Sequence, residues 1–474
     1  MSILAETDRY ARQDVAFSES HRGATALQVF GGDVNALFAR ALAAGAAGAG
    51  IALASDFHDP CGDGSHFLSG PIPDMVAQIN REVAYHYVDA FAAAADCEPI
   101  LARRSHAWTA LPIADVETTR RVLEEFRSAR IGTRVLLWQT GPGGVLVERC
   151  SGPTAGLDRL ETVPRLDEVP AGRPELAILA AGAVLSEVMS PQAFEAEDEL
   201  PSFRTVMVYS FHRRDRVTPV EEGLSLGDLA GEIALGRGQE TIELTDRELA
   251  VVGVGALGQW YLLGPAWAGE GLRVVIYDKD PEIALHNVSR QPVGCRSVGP
   301  NPKPHVVATE LQGLDPRGQY RAVFRAIRSP EDFDSLGSAA AVAALPDSDA
   351  PRAVSGDAAL GAGLPFGTAG SSVLGAQSVV CRPDRGACVR CLLGLDGSDG
   401  SAARPASCAF QAGSVVGTNM VGAAINLAEM RRTLSGLPLA NVRFSTTGHH
   451  GNRLERMVSH PPNCEHVDAA RANT

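Results

Sequence analysis

The sequence lacks both a membrane-spanning run and a basic field for nucleic acid. Its apolar runs all fall short of the roughly 18 residues that a bilayer span needs, and the Ala-rich stretch 37–50 is broken by glycine. Residues 1–13 place charges early and hold no apolar run, so no leader peptide is read there and the chain is expected in the cytoplasm. A basic excess is missing too. Against 42 Lys and Arg stand 56 Asp and Glu, a formal charge of −14 that argues against a nucleic-acid partner. Lysine is scarce, limited to Lys279 and Lys303, with arginine as the main cation; this reads as compositional bias. In a reducing compartment the nine cysteines are free thiols or metal ligands rather than disulfides. What is present is ordinary globular material, 45% hydrophobic and 21% charged, and 474 residues suffice for two or more domains.

An internal repeat organises the chain. In the first half an apolar strand, 27–30, runs into Gly31 and Gly32, an Ala-rich helix comes next, and a second strand, 50–55, ends at Asp56. In the second half strand 249–252 runs into Gly253, a helix comes next, and strand 272–277 ends at Asp278. Glycine and acid stand 25 positions apart in both halves. Each segment has the pattern of a βαβ unit. Asp115 with Arg120 and Asp347 with Arg352 form a second correspondence, each after a short apolar strand. The small-residue helices 179–189 and 413–430 form a third, which core packing alone would also explain. The expected fold class is α/β, two tandem Rossmann-like domains, the first a degenerate repeat of the second. The expected division is into residues 1–222 and 223–474, near the acidic and Gly-rich stretch 220–239.

Gly253, Gly255 and Gly258 come after a strand and open a helix. The first permits a tight turn, the second lets backbone approach a phosphate, and the third lets helix and strand pack. Asp278, ending the next strand, can accept hydrogen bonds from a ribose hydroxyl. Dinucleotide-dependent dehydrogenases share these features. They have no need of the polar set downstream of Asp278, which comprises Asp280, Asn287, Arg290 and Gln291, then Gly299 and Lys303. An enzyme that splits ATP between the α- and β-phosphates needs such cations to offset developing charge, Arg290 as a planar fork and Lys303 as a point charge.

This ordered set resembles the ThiF/MoeB and ubiquitin-activating family, and the resemblance extends over about 220 residues. It implies adenylation of a carboxylate with MgATP, giving an acyl-adenylate and pyrophosphate before transfer to a nucleophile. It places Asp347 at the Mg²⁺ beside ATP. It implies as substrate the C-terminus of a small ubiquitin-like or sulfur-carrier protein or of a ribosomal peptide, with a homodimer as a further option. The opening Arg9, Tyr10, Arg12 and Gln13 resemble the family's N-terminal arm, which implies that Arg12 reaches an ATP site. Departures exist: Ala256 replaces a glycine, Ser348 an asparagine, and the interval from Asp278 to Asn287 is one residue longer than the family's usual spacing. Alternatives are a relative that activates an amide or tRNA carbonyl for dehydration, a scaffold whose ATP site only stabilises it, and a dehydrogenase.

The first half lacks this chemistry. Asp33 stands where a phosphate would lie, and 56–110 hold no lysine and no Asn-x-x-Arg-Gln, so this half is expected to be an inactive partner domain. Cys388 and Cys391 form a zinc half-site. The family's second pair implies a set completed by Cys464 and His466; the alternative is a decayed site whose thiols are simply buried. Cys408 is a candidate acyl acceptor or a small packed residue. Cys61, Cys97, Cys150, Cys295 and Cys381 are expected to pack, and His286 and His305 to lie on the surface.

Overall fold

A computed structural model describes residues 25–29, 41–42, 45, 52–55, 85–87, 106–113, 116–141, 143–163, 173–189, 202–210, 244, 247–288, 290–334, 336–372, 375–382, 388–393, 415–436, 442–447 and 451–456. Two compact units divide them, one built mainly from residues before 211 and the other mainly from residues after 243.

The first unit holds β1 (Thr25–Val29), β2 (Ala52–Ser55), β3 (Tyr85–Tyr87), β4 (His106–Pro112), β5 (Arg134–Gly141), β6 (Gly144–Cys150) and β7 (Phe203–Ser210), with helices α1 (Val116–Ser128), α2 (Pro153–Thr162) and α3 (Pro174–Val188). Its sheet runs β3-β2-β1-β4-β5-β6-β7. The first five strands are parallel and the last two antiparallel. Every residue of β5 and β6 is buried, which forces the charges in them to find partners. Glu148 receives a two-pronged bond from Arg159 at 2.5 and 2.6 Å, and Arg149 meets Glu187 at 2.8 Å. The guanidinium groups of Arg134 and Arg149 each lie 5.3 Å from the Trp108 ring.

The second unit contains β8 (Glu248–Val252), α4 (Ala256–Trp267), β9 (Arg273–Asp278), α5 (Lys303–Leu314), β10 (Gln319–Phe324), β11 (Ala339–Ala344), α6 (Asp349–Gly361), β12 (Phe366–Ser371), β13 (Ala376–Cys381), α7 (Val389–Leu393), α8 (Val416–Leu434), β14 (Val442–Thr447) and β15 (Gly451–Arg456). Its sheet runs β10-β9-β8-β11-β12-β13-β14-β15. Again the first five positions are parallel and the next two antiparallel. Both units are Rossmann-like and share one strand order over seven positions. The described βαβ strands match those read from the sequence. Phe30, Gly31, Asp33, Asp56, Asp115 and the stretch 220–239 lie outside the described residues.

Strands covered on both faces read as continuous apolar runs, and β8 and β9 do so because helices flank them. Helix α4 is buried from Ala256 to Ala266, and α8 along its whole length. A helix apolar on every side belongs inside, and α4 packs against α8. Asn426 of α8 donates to the carbonyls of Thr368 and Val379 and to the Ser378 hydroxyl, which pins the helix across β12 and β13. Among the described residues no helix is long and apolar enough to cross a membrane.

Candidate functional site

Strand order reverses between β8 and β11, and ligands of open α/β sheets bind at the carboxyl ends of strands at such a point. A cavity of about 680 Å³ opens there. Gly253, Gly255, Asp278, Asp280, Asn287, Arg290, Lys303 and Asp347 all line it, although they span nearly a hundred positions of sequence. Gly258 packs beneath it, in the first turns of α4.

The loop from β8 to α4 explains its glycines. Gly253 adopts φ +84°, and a Cβ there would stand 2.8 Å from the Pro346 nitrogen. A Cβ on Gly258 would overlap the Gly253 carbonyl oxygen. A Cβ on Gly255 would meet only Gln291 Nε2, at 3.9 Å, so the space above this N-cap residue belongs to the cavity. That open approach, with the N–H groups of a helix start beside it, fits a phosphate.

Asp278 fastens the loop. Its Oδ2 accepts the Val254 N–H and its Oδ1 the Asp280 N–H, both at 2.8 Å. Burial pushes this carboxyl up, and Asp280 adds to the rise. Lys303 and the two N–H groups pull it back only in part. The sequence assigned Asp278 to a ribose; the structure adds that both oxygens first hold the backbone on either side.

Lys303 opens α5 with its side chain buried and ion-paired to Asp280, and its N–H donates to the Asp280 carbonyl at 3.0 Å. Arg290 is buried beside Asn287, whose Oδ1 it approaches at 3.4 Å. Asp347 is exposed at the cavity rim beyond β11. Nearby Arg352 donates to the Pro346 carbonyl at 2.8 Å and the Ala369 carbonyl at 3.0 Å, tying that rim to β12. An exposed carboxylate at this rim is an oxygen ligand of the kind Mg²⁺ takes, of which it draws only one or two from protein.

Sequence reasoning missed a buried polar latch. Gln259 donates to the Val254 carbonyl and to Gln291 Oε1, both at 3.2 Å, and accepts the Val293 N–H at 2.9 Å. Its neighbour Trp260 donates its indole N–H to the Arg290 carbonyl at 3.1 Å. These two residues of α4 bind the glycine loop to the segment that carries Arg290. A glutamine inside an apolar helix was the available signal. His286 was expected on the surface, but it is half-buried and lines the cavity.

Cys388 is buried just before α7, and Cys391 lies within that helix. The apolar run around Cys391 winds into one helical turn, which Arg390 anchors to Asp357 with bonds of 3.0 and 2.6 Å. Among the described residues no group of three or more His, Cys, Asp or Glu is placed to hold a metal. Cys464 and His466 lie outside the described residues, as do Arg12 and Cys408. Cys150, Cys295 and Cys381 are buried, and burial pushes the thiols of Cys150 and Cys381 up to about 12.

A ThiF family model matches residues 231–466. No curated protein matches the chain. Among solved structures, the chain is similar to E. coli MccB with succinimide, at 19% identity over 49% of this chain and 71% of that one, with a TM-score of 0.40. E. coli MccB with ATP aligns at 18% identity over 51% and 73%, with a TM-score of 0.41. PaaA aligns at 15% identity over 45% and 65%, with a TM-score of 0.37.

Proposed function

Residues 231–466 belong to the ThiF family, and from that premise we propose that the second unit uses MgATP to adenylate a carboxylate, which is then passed to a nucleophile. The observation that carries this reading is the gathering of Gly255, Asp278, Arg290, Lys303 and Asp347 around one cavity. A carboxylate substrate is already ionised near neutral pH and needs no base to attack. The attack forms a bond from its oxygen to the α-phosphorus and breaks the bond to the β-phosphate. The main demand on the protein is therefore to orient the reactants and offset charge.

The chain's residues divide that work. Gly253 and Gly258 shape the loop, and Gly255 leaves room for phosphate beside backbone N–H groups. Asp278, with Asn287 nearby, is assigned to the ribose side, and Asp280 to the phosphate side, where it is paired with Lys303. Arg290 and Lys303 supply positive charge to the phosphates. Asp347 would hold Mg²⁺, which when bound screens the pyrophosphate as it departs. Arg12 is proposed to add a further cation. The substrate proposed is the C-terminus of a small ubiquitin-like or sulfur-carrier protein or of a ribosomal peptide. The first unit, bounded near residue 222, is proposed to be an inactive copy, and Cys388, Cys391, Cys464 and His466 a structural zinc set.

Radiolabelled pyrophosphate exchange into ATP tests the reaction. Exchange is expected only when a protein or peptide with a suitable C-terminal carboxylate is added, and it should fall by about 10²–10³ in Arg290→Ala. Tight NAD binding with no response to ATP would overturn the proposal.

A further inference from the structure

We propose that Asp280 is a positioning residue: it stores the Lys303 ammonium at the cavity wall and releases it to the phosphates of an entering nucleotide. This rests on the nucleotide reading above and adds to it the group that holds the Lys303 ammonium before a nucleotide takes it over.

Four observations converge. The Lys303 side chain is 3% exposed and ion-paired to Asp280, whose own side chain is 44% exposed. Both residues line the cavity. The carboxylate therefore faces the space where phosphates are proposed to lie, and would repel them unless a cation covered it. Second, the backbone is held independently of the ion pair. The Lys303 N–H donates to the Asp280 carbonyl, and the Asp280 N–H to Asp278. The ammonium can thus change partners by side-chain rotation while α5 stays in place.

The third observation is the choice of cation. Among 42 Lys and Arg residues only Lys279 and Lys303 are lysines, and both line this cavity. The fourth shows what arginine does with a carboxylate in the same unit. Arg390 grips both oxygens of Asp357 through Nε and Nη2, at 3.0 and 2.6 Å. A planar fork locks onto a carboxylate in two places, whereas a compact ammonium is a point charge on a flexible stem and exchanges readily. A residue that must leave one anion for another is better served by lysine. The arrangement also favours ligands with several phosphate charges, because a single weak anion competes poorly with Asp280.

Calorimetric titration of the full chain with ATP and with adenosine tests this in Asp280→Asn, Lys303→Met, the double variant and Lys303→Arg. Asp280→Asn is expected to tighten ATP binding about tenfold, the scale of one charged hydrogen bond, and to leave adenosine within about twofold. That gain should vanish in the Lys303→Met background. Lys303→Arg should bind ATP as weakly as Lys303→Met, because the fork stays with Asp280. Asp280→Glu keeps the charge and should match the wild type. If Asp280→Asn does not fold, Asp280→Ser carries the same expectation. Unchanged or weaker ATP binding in the neutral variant would overturn the proposal. So would an equal gain without Lys303, since Asp280 would then act only by repulsion through space. Wild-type protein that takes up no ATP removes the nucleotide reading and this inference together.

Discussion

At the scale of single residues, the three loop glycines do different things, and one added methyl group separates them. Gly258→Ala drives a carbon into the Gly253 carbonyl oxygen, a backbone atom held between β8 and α4. It should cost about 1–3 kcal/mol, which for a unit of this size lowers the melting temperature by roughly 2–4 °C per kcal/mol. Gly255→Ala meets only the end of the Gln291 side chain. It should melt like the wild type and lose ATP binding. Thermal scans beside calorimetry read both outcomes, and wild-type ATP affinity in Gly255→Ala would mean that no ligand approaches that backbone. The glycine spacing was legible because it is local. The Val254 partner of Asp278 was not, because its N–H reaches the carboxylate across a strand pairing.

At the scale of elements, α7 shows how a short segment is positioned by a neighbour. Five residues make too little helix to stand alone. Val389 packs into the space left by Gly356, and Arg390 clasps Asp357 on α6. Cys388 is thereby held at one buried place, as a structural metal ligand must be. Protein purified without added metal should contain about one zinc per chain, the content of a single structural site, and Cys388→Ser should contain almost none. Elemental analysis decides; a stable, active, metal-free wild type would show that these thiols only pack. The Cys-x-x-Cys spacing was visible in sequence, whereas its helical setting depends on α6.

At the scale of the whole chain, two sheets of one strand order predict different chemistry for the two halves. In the sequence, the glycine spacing of Gly253, Gly255 and Gly258 followed by Arg290, Lys303 and Asp347 is found in the second half, and the first half is proposed to be inactive. Saturating calorimetry should therefore give about one ATP per chain rather than two, the stoichiometry of one site with offsetting cations. Arg12→Ala should slow pyrophosphate exchange by about 10²–10³ with an unchanged melting temperature. Two equivalents of ATP would refute an inactive first half, and full exchange in Arg12→Ala would make the N-terminal arm structural only.

By itself the sequence determined the paired strands of each βαβ pattern and the glycine turn between β8 and α4. These rest on neighbours within a few residues: apolar runs set strands, glycines set turns, and acids end strands. It also placed each charged residue of the proposed site in order along the chain. Only the tertiary structure decided which of those charges meet. Lys303 and Asp280 are 23 positions apart, and their pairing exists because α5 starts beside the end of β9. The same holds for Gln259 and Trp260, which look like core residues on α4 until the segment around Arg290 folds back on them. It holds as well for Glu148 and Arg149, charges inside a fully buried strand that α2 and α3 answer with Arg159 and Glu187. Backbone preference is local and survives in a string of letters. The pairing of charge and the closure of a cavity depend on distances that only the packed chain sets.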